Sequence, residues 1–153
     1  MRIASFCLTA LLALAGAAHA AGPAKLDFPG NTFDGGNTDP AWSIVLQRED
    51  VGLVRYSLSS PSGVPIAAGT LKSVAPVLKM QVFGELRGQY GLAGTATIRQ
   101  RAQPMQVLVG PSRVGAPCRD ARGKTYAQAV FVAIGDLGNP DKLYYGCGEY
   151  RKP

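Results

Sequence analysis

The chain has 153 residues, sixteen of them basic and ten acidic, with 46% hydrophobic and 17% charged positions. His19, Cys7 and Arg2 fall in the first twenty residues, which read as a removable export signal. What remains after that segment has no histidine, two cysteines and fifteen basic against ten acidic residues, a net charge of +5. This excludes Ser-His-Asp and Cys-His catalysis and His-ligated zinc from the mature chain.

Met1-Arg2 is a short positive start, and residues 3–18 are apolar or small except Ser5 and Thr9. Ala18-His19-Ala20 matches a small-x-small cleavage site, so residues 1–20 are expected to be a signal peptide cut before Ala21. The apolar run is shorter than the roughly 20 residues of a spanning helix. Cys7 lies too early in it for a lipoprotein anchor. No later segment is apolar enough to span a bilayer. The expected location is the periplasm or the outside of the cell.

Residues 21–38 are rich in Gly, Pro, Asn and Asp and read as a loosely ordered lead-in. Residues 39–153 read as one β domain. Trp42, Ile44 and Leu46 alternate with polar neighbours, as do Val54, Tyr56 and Leu58, and Leu78, Met80 and Val82. Ala96 and Ile98 oppose Thr95, Thr97 and Arg99, and this pattern puts Arg99 and Arg101 on one strand face. Residues 106–109, 126–134 and 142–145 complete the extended pieces. A two-residue period sets one face on a core and the other toward solvent. Gly and Pro clusters separate the pieces, at 60–63, Gly84, Gly88, Gly91, Gly94, 110–111, 115–117 and 138–141. No stretch has a 3.6-residue period. The expected fold is all-β, a small single-domain barrel or sandwich of about eight short antiparallel strands.

Cys118 and Cys147 are the pair left after cleavage, and an even count in an exported chain predicts a disulfide. A loop of this length contributes about 3–4 kcal/mol on the chain-entropy relation. The bond is expected to close the open end of a hairpin formed by residues 125–134 and 142–145. A metal pair is disfavoured, because two Cys without His make a poor site. No metal or cofactor is expected.

The acids mostly sit beside turn residues, and none pair on one strand face, so a carboxylate-based hydrolase is the least favoured function. No Gly-x-Ser-x-Gly elbow, phosphate loop or dinucleotide fingerprint is present. Arg119, Arg122 and Lys124 cluster after Cys118, a surface suited to anionic partners. Few aromatics interleave with them, which disfavours nucleic acid. Tyr144, Tyr145 and Tyr150 flank Gly146-Cys147-Gly148, where tyrosine beside glycine-rich turns supplies contact surface. Candidate binding residues are Arg122, Lys124, Tyr126, Tyr144 and Tyr145.

Two stretches, residues 36–43 and the Cys118-Arg119-Asp120, Gly123-Lys124-Thr125-Tyr126 and Gly146-Cys147-Gly148 set, resemble a family of uncharacterised bacterial exported proteins and lipoproteins. That family shows a Gly-Asn-Glu-Pro-x-Trp opening, then Cys-x-Asp near a Tyr, then a closing Gly-Cys. This chain has one extra residue between Asn37 and Pro40, and Ala121-Arg122 where the family has Met-Ser. The resemblance implies an extracytoplasmic β-rich domain with a Cys118–Cys147 bond. A weaker resemblance is to periplasmic inhibitors of animal-type lysozyme, small β-barrels with Ser-Gly-x-x-Tyr and Tyr-x-x-Gly-x-Gly loops. Residues 123–126 and 146–148 are similar to these, with Arg122 in place of the serine and Leu143 in place of the tyrosine. The expected function is therefore a non-enzymatic exported β domain with a binding or envelope-associated role, or an inhibitor of lysozyme. The expected partner is a protein such as lysozyme or an anionic envelope component.

Overall fold

In the computed structural model, residues 28–74, 89–112, 117–136 and 139–151 are described. They hold ten strands: β1 (Thr32–Thr38), β2 (Ala41–Asp50), β3 (Leu53–Ser59), β4 (Pro65–Val74), β5 (Tyr90–Ile98), β6 (Arg101–Pro111), β7 (Cys118–Arg119), β8 (Thr125–Tyr126), β9 (Gln128–Asp136) and β10 (Asn139–Tyr150). Eight of them close into an antiparallel barrel in the order β1-β10-β9-β6-β5-β4-β3-β2, which settles barrel against sandwich. Leaving β7 and β8 aside, each strand neighbours the next in the chain. The two short strands form a separate ribbon in the β6–β9 connection. The signal segment, the 78–82 alternation, Gly84 and Gly88 lie outside the described residues.

The alternation in β2 and β3 does what its period predicts. Trp42, Ile44 and Leu46, then Val54, Tyr56 and Leu58, all point into the barrel and are buried. Val107 and Val109 from β6 and Val130, Val132 and Ile134 from β9 fill the lumen from the far wall. An eight-stranded barrel has an interior just wide enough for side chains to fill, and each of these burials contributes about 1.5–3 kcal/mol. The Tyr56 hydroxyl donates to the Thr95 carbonyl at 2.9 Å, so its burial leaves no orphan. One mouth is plugged by aromatics: Phe28 packs edge-on against Tyr90 and Tyr150 at 6.1 and 5.4 Å between ring centroids. Burial, and the nearby Tyr90, push the Tyr150 phenol well above its ordinary range.

Several expectations need correction. Residues 32–38 are not a lead-in but β1, paired with both β2 and β10. One buried anchor, Phe33, and a run of small residues give it no alternating signal. The glycines have a steric cause. A Cβ on Gly36 would stand 2.3 Å from the Trp42 carbonyl oxygen, and one on Gly146 2.1 Å from the Gly36 carbonyl oxygen. The strands that seal the barrel approach too closely for side chains there. Gly91 and Gly94 lie inside β5, and Gly110-Pro111 inside the end of β6, rather than in turns. Arg99 and Arg101 do not share a strand face: Ile98 pairs with Arg101 across a two-residue turn. Arg99 and Gln100 hold left-handed φ values of 48° and 64°. Such positions cost a residue with a side chain about 1–2 kcal/mol each, and Asn-Gly is their usual occupant. With neither present, the turn carries no signal in the sequence.

The hairpin expected from 125–134 and 142–145 exists, but it is formed by residues 128–136 and 139–150, and Thr125-Tyr126 belong to the ribbon instead. β9 and β10 pair from Asn139↔Asp136 to Gly148↔Gln128, so Cys147 lies within β10, opposite Ala129. Cys118 sits on the ribbon, and the Cys118–Cys147 disulfide pins that ribbon to the outer wall beside the open end of the hairpin. Under it lies a second apolar cluster of Leu108, Ala129, Phe131, Ala133 and the two cysteines. β9 is thus buried on both faces, which is why it reads as a continuous apolar run.

Candidate functional site

The ribbon is organised by one carboxylate. Asp120 Oδ1 accepts the backbone N–H groups of Arg122 and Lys124 at 3.0 and 2.9 Å, and Oδ2 accepts the Tyr126 hydroxyl at 3.1 Å. Gly123 takes a φ of 82°, which lets the loop double back so that Asp120 N–H reaches the Lys124 carbonyl at 3.0 Å. Lys124 then lies 4.6 Å over the Tyr126 ring and 3.4 Å from Glu149 on β10. The Glu149 charge, followed by the Tyr126 contact, raises the Lys124 ammonium above its ordinary value. Burial, followed by the hydrogen bond to Asp120, raises the Tyr126 phenol. At the ribbon's base the Ser112 hydroxyl donates to the Ala127 carbonyl at 3.1 Å.

Beside the ribbon, on the outer wall of β1, β2 and β10, is a groove of about 300 Å³. Gly35 and Gly36 line it with backbone, the Cβ position of Gly35 being turned toward Phe33 and Val130 in the lumen. Asp34, Glu149, Asp120, Lys124 and Tyr126 line one part of it, and Asn37, Thr38 and Ser43 another. Asp34 is held by Arg151, whose Nη2 reaches Oδ1 at 2.8 Å and whose Nε also meets Oδ2. All three carboxylates of the groove therefore already accept hydrogen bonds from neighbouring donors. The arrangement offers hydrogen-bonding groups of both signs to an occupant. The Thr38 hydroxyl oxygen is buried in the groove wall without a partner, a position that polar groups rarely hold. Among the described residues no three His, Cys, Asp or Glu side chains gather to hold a metal, and no helix is long and apolar enough to cross a membrane.

The candidate residues separate into three groups. Lys124 and Tyr126 line the groove. Arg122 is exposed at the ribbon tip, outside the lining, and Tyr145 faces outward with its hydroxyl 3.8 Å from Cys118 Sγ. Tyr144 turns inward instead, its ring 5.4 Å from Trp42, and burial raises its phenol. The even period of β10 sends 144 to the lumen and 145 out, so Tyr144 is partly buried against the core cluster and lies outside the groove lining. Missed in the sequence were Asp34, Thr38, Ser43 and Glu149: Asp34 and Glu149 meet where β1 pairs with β10 across nearly the whole chain, and Thr38 and Ser43 are brought beside them by the β1–β2 pairing. The 36–43 segment was the one available signal, and it does reach this groove together with the 118–126 and 146–148 segments. No family model matches the chain, and no match is found among the curated proteins or the solved structures.

Proposed function

We propose that the protein is an exported, non-enzymatic binding domain whose contact face is the groove with the ribbon beside it. The observation that carries this reading is the meeting of three distant segments at one groove whose wall holds an orphaned Thr38 hydroxyl, while its carboxylates are engaged by neighbouring donors. The disulfide supports an extracytoplasmic location, periplasmic or secreted, after loss of residues 1–20. Mass analysis of protein recovered from outside the cytoplasm tests that part: a chain beginning at Met1 would sink it. For the groove, Ser43→Trp fills it from an exposed position without touching the core. Loss of binding to envelope fractions in this variant, with an unchanged melting curve, is expected. Turnover of peptidoglycan fragments or ester substrates by the purified protein would overturn the reading.

A more specific reading is inhibition of animal-type lysozyme. It is favoured by the way the two segments similar to the inhibitor loops, residues 123–126 and 146–148, are brought side by side by the disulfide and the Lys124–Glu149 pair. The basic ribbon with Arg119, Arg122 and Lys124 would face the carboxylate-lined cleft of the enzyme. Micromolar protein is expected to slow lysis, with Tyr126→Ala and Arg122→Glu weakening the effect. Lysis at the uninhibited rate removes this reading while leaving the groove proposal standing.

A further inference from the structure

The mouth of the barrel that carries the β5–β6 turn and the paired ends of β9 and β10 has its own opening, of about 530 Å³, lined by Ile98, Arg99, Arg101, Gln103, Asp141 and Lys142. It shares no residue with the groove. Its volume falls in the range of small-molecule sites. Asp141 is the one acid in the lining, and it receives the Gln103 side-chain amide at 3.4 Å. Arg99, Arg101 and Lys142 have no ion-pair partner among the described residues, so the opening keeps a surplus of two positive charges. This contrasts with the groove, where Lys124 faces Glu149 and Arg151 faces Asp34. The backbone adds a second observation. Arg99 stands in one of two consecutive left-handed positions, where asparagine or glycine is less strained. Strain held at a site whose side chain lines an opening is a pointer to function rather than to stability.

We propose that this rim binds a phosphate group, gripped by the two guanidinium forks and the Lys142 ammonium. Planar guanidinium groups match phosphate oxygens two at a time, and lysine adds a point charge. A carboxylate ligand carries less charge to meet the two surplus positive charges and offers too few oxygens to occupy two guanidinium forks and the Lys142 ammonium at once. The phosphate is carried by a lipid headgroup at a membrane surface or by a free phosphate-bearing small molecule, and one experiment distinguishes the two sources.

Purified protein is titrated with glycerol 3-phosphate while the Arg side-chain resonances are followed. In parallel it is sedimented with phosphatidylcholine vesicles with and without one-fifth phosphatidylglycerol. Shifts confined to Arg99 and Arg101, with sedimentation only on the anionic vesicles, identify a headgroup. The same shifts without sedimentation identify a free ligand. Arg99→Asn suits the turn and is expected to melt at or above the parent temperature while binding falls by about tenfold or more. Arg101→Gln with Lys142→Gln should do the same without altering the turn. Absence of shifts and of vesicle binding, equal binding by Arg99→Asn and the parent, or binding that maps to Arg119 and Arg122 would each overturn the proposal.

Discussion

Reducing the Cys118–Cys147 bond should destabilise the protein at two levels. The bonded residues are 29 positions apart, for which the chain-entropy relation gives about 3.6 kcal/mol against global unfolding. With the barrel intact the effective loop is shorter. Cys147 lies opposite Ala129, so the bond limits opening of a segment spanning 129 − 118 = 11 positions, worth about 2.8 kcal/mol by the same relation. At about 3 °C per kcal/mol for a domain of this size, the melting temperature should fall by about 10 °C. Amide exchange at Gly123 and Lys124, whose N–H groups bond within the ribbon, should speed up by about two orders of magnitude, since about 1.4 kcal/mol corresponds to each tenfold. The assay is a thermal melt by near-ultraviolet circular dichroism together with native-state exchange, on the same protein with and without reductant. A Cys118→Ala, Cys147→Ala variant serves as control. Coincident melts and unchanged ribbon protection after complete reduction would refute the reasoning, because they would mean that the ribbon is held by its packing alone.

Asp120→Ala removes three accepted hydrogen bonds and should cost about 2 kcal/mol of ribbon stability, whereas Tyr126→Phe removes one and should cost about 1 kcal/mol. Exchange rates at Lys124 rank the two. Gly146→Ala forces a Cβ against the Gly36 carbonyl at the barrel seam and should cost about 3 kcal/mol or more. Gly63→Ala meets nothing within 4 Å but keeps a φ of 75°, and should cost about 1–2 kcal/mol. Urea midpoints give the order. Tyr56, Tyr126, Tyr144 and Tyr150 are all raised above the phenol value of 10.0, chiefly by burial. Their neutral forms are favoured by folding, so this contribution is fully present below pH 10.0 and is lost as pH rises through the folded-state values. Stability from these groups should be flat from neutral pH to about pH 10 and fall above it, with cooperative ionisation at 295 nm marking the loss.

Much of the barrel could be read in advance because β2 and β3 alternate cleanly between lumen and solvent. Trp42, Ile44, Leu46, Val54, Tyr56 and Leu58 are core residues by their period alone. β1 was hidden because its function is to let neighbours come close, which selects glycine, and glycine in sequence looks like a turn. The Arg99–Gln100 turn was hidden for the opposite reason: its residues have none of the usual turn chemistry. The ribbon strands are two residues each, too short for any period to show. The cysteines disclosed the pairing but not the object pinned by it. Half of the groove was visible as Lys124 and Tyr126. The other half is backbone and strand register, properties of pairing between residues more than a hundred positions apart.

The double burial of β9 has a consequence beyond stability. Leu108, Phe131 and Ala133 lie outside the lumen cluster, in a buried cluster shared with Cys118 of the ribbon, with Tyr126 packed against it. Lifting the ribbon takes its Cys118 and Tyr126 off this apolar stripe on the outside of an otherwise finished barrel, next to Leu143 and Tyr145, which are exposed already. Contiguous apolar patches of this kind drive self-association. A copy whose cysteines stay unpaired is therefore set apart by its surface rather than by its fold. It is prone to aggregate and open to capture by chaperones, while the oxidised copy keeps the stripe covered.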